Sequence, residues 1–153
     1  MLTINSYEEF AAYEGKELGV SEWVLVSQEK INQFADATDD HQWIHVDVER
    51  CKTESPFGQT IAHGYLTLSL IPLMWKQILE VHNLDRMMNY GIKEMRFGKP
   101  VLSGQSIRMK VSLDEIQNLR GAIRTNVKFI IEIKETGNKA VEGIATFIYY
   151  FNK

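Results

Sequence analysis

The residue types best suited to acid–base chemistry lie in the segment 34–47, where Asp40 and His45 stand five positions apart. A carboxylate and an imidazole at this spacing across a loop can act on the same water molecule or substrate proton. Because an imidazole has a reference pKa of about 6.5, it can accept or release a proton near neutral pH. The pair is therefore the first candidate for general acid–base catalysis.

A second polar group, residues 57–69, places Gly64 near the start of an apolar segment with helical spacing. The first backbone N–H groups of a helix have no partner within the helix, and they can hold a developing oxyanion. We therefore predict that the N–H of Gly64 is an oxyanion donor.

Each of these residues also has a plain structural interpretation. A histidine is more often structural than catalytic, an Asp39-Asp40 pair can end a helix, and a glycine such as Gly64 can simply allow close packing. A zinc site is a further alternative, although the spacing of its four candidate ligands matches no strong zinc signature: Asp40, His41, His45 and His63.

The composition is that of an ordinary globular domain. The 153 residues fit one domain, and they are 44% hydrophobic and 24% charged. Seventeen Lys and Arg against twenty Asp and Glu give a net charge of -3. This balance argues against a nucleic-acid partner and against an anionic membrane surface.

We expect neither a signal peptide nor a membrane span. Residues 1–6 lack the basic and apolar regions of a signal peptide. The uncharged segment from Ser55 to Trp75 contains too many polar and helix-breaking residues for a membrane span, so we expect a buried helix. The single cysteine, Cys51, excludes an internal disulfide and a cysteine-based zinc site. We expect a cytoplasmic protein, because a free thiol fits a reducing compartment.

The first half of the chain is predicted to contain helices and loops. Ser6 and Ser27 are typical helix N-caps, and the helix after Ser27 should end near Asp39. A strand is expected over residues 20–26, no helix over 41–45, and a short helix over 48–52. A long apolar helix should run from about Ala62 to His82, with a kink or restart at Pro72.

The second half is predicted to form antiparallel strands. Apolar residues alternate with polar ones over 107–113 and 123–134, while residues 140–151 are apolar on both faces and fit a central strand. A further strand should cover Tyr90–Phe97. One buried helix followed by four strands predicts a single α+β domain in which an antiparallel sheet wraps the helix.

The two polar groups together resemble the MaoC-like, or (R)-specific enoyl-CoA hydratase, family of the hot-dog fold. Asp40, Ile44 and His45 stand at the family's Asp and aliphatic-His positions, and the run Ile61-Ala62-His63-Gly64 resembles its second motif. The branch that includes nodulation protein N is the most similar in these runs. The family's usual Asn-Pro is replaced by Gln42-Trp43 here.

This resemblance implies a hot-dog domain over residues 1–153 that adds water reversibly to a trans-2-enoyl thioester. Asp40 and His45 would be the acid–base pair, and Gly64 would hold the thioester oxygen. The thioester of coenzyme A or of an acyl carrier protein would be part of the substrate, with no separate cofactor and no metal. A homodimer joined through sheet edges is expected, since pairing would cover an open edge.

Several further residues are weaker candidates for contact with the substrate. Ser69 stands where some relatives have a serine in the active site, and it could equally be a packing residue bonded to a backbone carbonyl. Tyr65 and Trp43 are candidates for the wall of an acyl pocket, and Asn89 and Arg96 for contacts with the pantetheine arm. His63 is a candidate for orienting the turn before Gly64.

Three rival functions remain compatible with the sequence. A thioesterase on the same fold would act at the thioester carbon instead of C3. A binding module would retain Asp40 and His45 without turnover. A metal hydrolase would lose activity with a chelator.

Overall fold

The computed structural model describes residues 1–152, which form one large antiparallel sheet, a two-stranded sheet and six short helices. In chain order the elements are β1 (Leu2–Ile4), α1 (Tyr7–Ala11), β2 (Glu17–Val20), β3 (Val24–Leu25), α2 (Gln28–Thr38), α3 (Trp43–Val46), α4 (Val48–Glu54), α5 (Gly64–Ser69), α6 (Ile71–Ile78), β4 (Leu79–Val81), β5 (Leu84–Phe97), β6 (Ser106–Asn118), β7 (Ala122–Ile133) and β8 (Lys139–Phe151).

The large sheet has the order β2-β6-β7-β8-β5, and β3 also pairs with β6. Its long strands are antiparallel, with Val111 opposite Phe129 and Phe129 opposite Gly143. The predicted central position of β8 is confirmed, because β8 lies between β7 and β5. The α+β fold with an antiparallel sheet around a buried helical segment is also confirmed.

Alternation along β6 and β7 builds the core. The odd-numbered residues from 107 to 113 on β6 and from 123 to 133 on β7 are buried. They meet the apolar face of α6, which contributes Ile71, Met74, Trp75 and Ile78. Each fully buried aliphatic or aromatic side chain contributes about 1.5–3 kcal/mol relative to exposure. The core therefore fixes α6 across the sheet and, through it, the position of α5.

The predicted helix over 62–82 is wrong at both ends, because it starts at Gly64 and stops at Ile78. The predicted restart at Pro72 is confirmed, since α5 ends at Ser69 and α6 begins at Ile71. Residues 79–81 then leave the helix and form β4, which pairs in parallel with β1. A segment as short as Leu79-Glu80-Val81 fits a helix or a strand equally well, and here a distant partner, Leu2–Ile4, decides the outcome.

Two other local predictions need correction. The strand expected over 20–26 is divided into β2 and β3, with residues 21–23 between them. The segment 41–45, expected to lack a helix, enters α3 at Trp43. The predicted caps are confirmed, because Ser6 accepts from the N–H of Glu9 and Ser27 from that of Lys30. Within residues 1–152, no helix is both long and apolar enough to cross a membrane.

Candidate active site

The loop between α2 and α3 presents Asp40. Asp39 closes α2 in the left-handed conformation, at φ 58°, which aspartate tolerates better than most residues. The chain then turns, and the Asp40 side chain remains 53% exposed. The interpretation of Asp39 as a helix terminator is thereby confirmed, while Asp40 is free for another role.

His45 lies on α3 with most of its side chain buried. Its Nδ1 lies 2.7 Å from the carbonyl oxygen of Ile61, and a carbonyl can only accept a hydrogen bond. The proton of the neutral ring therefore resides on Nδ1, and the lone pair is on Nε2. A second contact supports α3, because the Gln28 side chain donates to the backbone carbonyl of His45 at 2.8 Å.

The two residues predicted to form an acid–base pair lie together, and His63 joins them. The nearest ligand atoms of Asp40, His45 and His63 all lie within 4.8 Å of one another. The rings of His45 and His63 stack with their centroids 3.8 Å apart. The Nε2 of His63 lies 2.9 Å from the backbone carbonyl oxygen of Asp40.

Burial lowers the pKa of His45 below its ordinary value, because the charged imidazolium loses its hydration. The hydrogen bond to Ile61 opposes this shift, His63 adds to it, and Asp40 opposes it weakly. The ring is thus kept neutral at pH 7, with Nε2 able to accept a proton.

Gly64 opens onto the same cavity as His45. The cavity has a volume of about 180 Å³. Its lining includes His45, Gly64, Thr67, Phe97 and Lys99. A Cβ at residue 64 would lie 2.8 Å from the ring of Phe97, so an alanine there would displace the ring or the backbone. A neutral imidazole and the first residue of α5 therefore face one small cavity, an arrangement suited to proton transfer beside a developing negative charge.

Comparison with known proteins identifies the family. The family described as "MaoC like domain" matches residues 9–135 of the chain. The chain belongs to the MaoC-like family. The predicted family is thereby confirmed.

Two curated relatives and one solved structure illustrate the similarity of this MaoC-like protein. The 3-hydroxyacyl-thioester dehydratase Z of Mycobacterium tuberculosis is 40% identical over 151 residues, which cover 97% of this chain and 99% of that protein. Nodulation protein N of Rhizobium leguminosarum bv. viciae is 45% identical over 130 residues, covering 83% and 80% respectively. The unliganded (R)-hydratase of Pseudomonas aeruginosa has a TM-score of 0.69 at 20% identity, covering 88% and 81%. This last likeness shows the shared fold.

The remaining predicted site residues of the MaoC-like domain lie elsewhere. Ser69 and Asn89 line a second cavity of about 500 Å³, between the junction of α5 and α6 and strands β5 and β8. The Ser69 hydroxyl donates to the backbone carbonyl of Tyr65 at 2.7 Å, as the packing interpretation expected. The ring of Tyr65 is 65% exposed and packs edge-to-face on Phe97.

The structure separates His41 and Trp43 from the pair. His41 is exposed and lies 2.8 Å from the Asp36 carboxylate, which raises the pKa of the imidazole. Trp43 packs under the guanidinium of Arg50. Of the four predicted zinc ligands, His41 therefore lies apart, while Asp40, His45 and His63 are clustered.

Two residues that complete the site have no local signature. Gln28 supports α3 from 17 positions away, and Phe97 meets Gly64 from 33 positions away. Both contacts join separate elements, so neither hydrophobic period nor motif spacing could indicate them.

Proposed function

We propose that this MaoC-like protein is an (R)-specific enoyl-thioester hydratase and 3-hydroxyacyl-thioester dehydratase. The observation that carries the proposal is the proximity of Asp40 to a neutral His45 that faces one cavity with Gly64. The full-length similarity to a relative named 3-hydroxyacyl-thioester dehydratase supports the reaction class. We further propose that the hydroxyl-bearing carbon has the (R) configuration and that these three residues carry the reaction.

Hydration requires a group that takes a proton from water and a group that delivers a proton to C2. In the proposed mechanism, Nε2 of His45 takes a proton as the water oxygen bonds to C3. Asp40 orients the water, and the pair returns a proton to C2. Both parts of one water molecule thus add to the same face of the double bond, and dehydration follows the same steps in reverse.

Negative charge develops on the thioester oxygen while C3 is attacked. We assign the Gly64 N–H as the donor to this oxygen, since it lies at the start of α5 and beside the cavity. Loss of one donor of this kind typically costs about 3 to 4 kcal/mol of transition-state stabilisation.

The remote parts of the substrate need a second place to bind. The cavity at Ser69 and Asn89 is lined largely by apolar groups, including Leu68, Pro72 and Phe147. We propose that this cavity receives a part of the thioester distant from the reacting carbons. Coenzyme A or phosphopantetheine would enter as part of the substrate. The proposal includes a cytoplasmic location, which suits the buried free thiol of Cys51.

A homodimer joined through β5 is part of the proposal. β5 ends the sheet, and β8 is its one partner strand among residues 1–152. Apolar side chains stand exposed along it, including Met88, Tyr90 and Ile92. A long exposed edge with apolar residues favours pairing with an identical edge.

The test is the absorbance of the enoyl-thioester band with crotonyl-CoA, for the wild type, Asp40→Asn and His45→Gln. We expect rapid loss in the wild type with no free thiol released. Each variant should lose about a hundredfold or more in kcat, since general acid–base catalysis contributes 10²–10⁴-fold. His41→Gln is the matched control, because this exposed histidine contacts Asp36 instead of the pair.

The outcomes separate the rival functions. Release of free thiol would indicate a thioesterase. Tight binding without turnover of crotonyl-CoA and longer enoyl-CoA substrates would indicate a binding module. Loss of activity with a chelator would indicate a metal at the Asp40, His45 and His63 cluster.

A further inference from the structure

We propose that His63 is a positioning residue, which holds the Asp40 main chain and the His45 ring in one fixed arrangement. The inference rests on the proposed function, because it assigns a role within the same acid–base site. It replaces direct contact with the substrate as the role of His63.

The first support is the contact between His63 and the catalytic loop. The carbonyl oxygen of Asp40 can only accept, so His63 carries its proton on Nε2 and donates it across 2.9 Å. Among residues 1–152, the Asp40 carboxylate accepts one hydrogen bond, a long one of 3.4 Å from the N–H of Gln42 inside its own loop, and its Oδ2 lies 3.9 Å from Nε2 of His63. The bond from His63 therefore ties Asp40 to a residue 23 positions away in the core.

The second support is the packing of the His63 ring. It stacks on His45 with an interplanar angle of 26° and contacts Phe34 at a centroid distance of 5.0 Å. The side chain is only 2% exposed. His63 therefore fills the space between α2 and α3 and supports the face of the His45 ring.

The third support is an atom that packing alone would not require. Nδ1 of His63 is buried without a hydrogen-bond partner among residues 1–152. A buried polar atom without a partner is unfavourable, and a phenylalanine would fill the same space without it. The hydrogen bond from Nε2 of His63 to Asp40 explains why this position holds an imidazole.

His63 also adjoins Gly64, the proposed oxyanion donor. It is the N-cap of α5, so Gly64 follows it directly. The titratable side chains around His45 are Asp40 from the preceding loop, His63 from the segment before α5, and Lys99 from the segment after β5, which lines the cavity.

Two substitutions separate the hydrogen bond from the ring. His63→Phe keeps a stacked ring but removes the donor to Asp40, whereas His63→Gln keeps a donor at a similar reach. We expect His63→Phe to lower kcat for crotonyl-CoA by about 10- to 100-fold, since small misplacements of catalytic groups have effects of this size. KM should change less than about threefold, and His63→Gln should retain kcat within about fivefold.

The matched controls are His41→Phe and His41→Gln, which should leave kcat and KM unchanged. Circular dichroism and Tm show whether each variant is folded. A folded His63→Phe variant with wild-type kcat would overturn the proposal, and so would a folded His63→Gln variant as inactive as His63→Phe.

The tautomers of the wild-type protein give a test that needs no variant. The chain has four histidines, so a long-range ¹H–¹⁵N spectrum at pH 7.5 can resolve each ring. We expect His63 as the Nε2–H tautomer and His45 as the Nδ1–H tautomer. The Nδ1–H form of His63 would overturn the proposal even if His63→Phe fails to fold. Absence of wild-type turnover would instead contradict the proposed function.

Discussion

Gly64 and Phe97 approach so closely that a Cβ at residue 64 would lie 2.8 Å from Cε1 of the Phe97 ring. Both residues line the cavity that contains His45. The ring of Phe97 therefore limits what residue 64 can be, and it also bounds the space beside the proposed oxyanion donor.

Gly64→Ala is expected to lower kcat by about 10- to 100-fold, because displacement of the N–H weakens stabilisation of the thioester oxygen. Steady-state kinetics with crotonyl-CoA would measure this loss. Phe97→Ala removes the clash, so Gly64→Ala should cost less activity in the Phe97→Ala background than in the wild type. Equal losses in the presence and absence of the Phe97 ring would argue against this explanation.

The acid side of the pH profile should reflect His45. Since burial lowers its pKa, hydration should decline with falling pH at a midpoint below about 6.5. Stability should fall in the same direction. On acidification, His45 is protonated at a higher pH in the unfolded state than in the folded state, so the free energy of unfolding decreases as pH falls from about 6.5 towards the folded pKa. Profiles of kcat/KM from pH 4.5 to 8.5 test the first effect, and denaturant titrations the second. A midpoint above 7 would contradict the assignment.

The second cavity should determine which acyl thioesters are accepted. Ser69→Leu fills part of this cavity. We expect it to lower kcat/KM for enoyl-CoA substrates with longer acyl chains by about tenfold, while turnover of crotonyl-CoA changes less. A chain-length series of enoyl-CoA substrates would measure this. Thr53→Leu, an exposed hydroxyl on α4 outside both cavities, is the control. The same fractional loss for every chain length would contradict a role in selectivity.

The β5 edge should mediate dimerisation. Ile92→Arg places a charge on this edge, so we expect the dimer dissociation constant to rise at least about tenfold, as burial of an unpaired charge is unfavourable. Analytical ultracentrifugation would measure it. Leu25→Arg, at a similarly exposed apolar position on β3, should leave the dimer intact. A monomeric wild type, or dissociation by Leu25→Arg alone, would refute this interface.

The sequence predicted the strands best where one face of the sheet is buried and the other is exposed. The alternation over 107–113 and 123–133 is visible without a structure because each side chain reports its own environment. Residues 79–81 gave no such signal, since their pairing with β1 depends on a partner 77 positions away. The caps at Ser6 and Ser27 were predictable because their hydrogen bonds are local.

In the candidate site too, contacts between residues close in the chain were predictable, and contacts between distant segments were not. Asp40 and His45 are close in the chain, so a loop can bring them together, and the motif spacing indicated this. The contacts of His63 with Asp40 and of Gly64 with Phe97 join distant segments. Motif spacing also failed to separate Ser69 from the His45 cavity, because the direction of a side chain on α5 depends on how the helix packs on the sheet.

The parallel pairing of β1 with β4 has a consequence for the order of folding. Leu2 is aligned with Leu79, so we expect the first strand to pair only after the helical segment and the start of the sheet have formed. Closing so long a loop has an entropic cost that three residue pairs offset only slightly. The pairing should therefore form late and open first, and the amides of β1 should exchange with solvent well before those of β7 and β8.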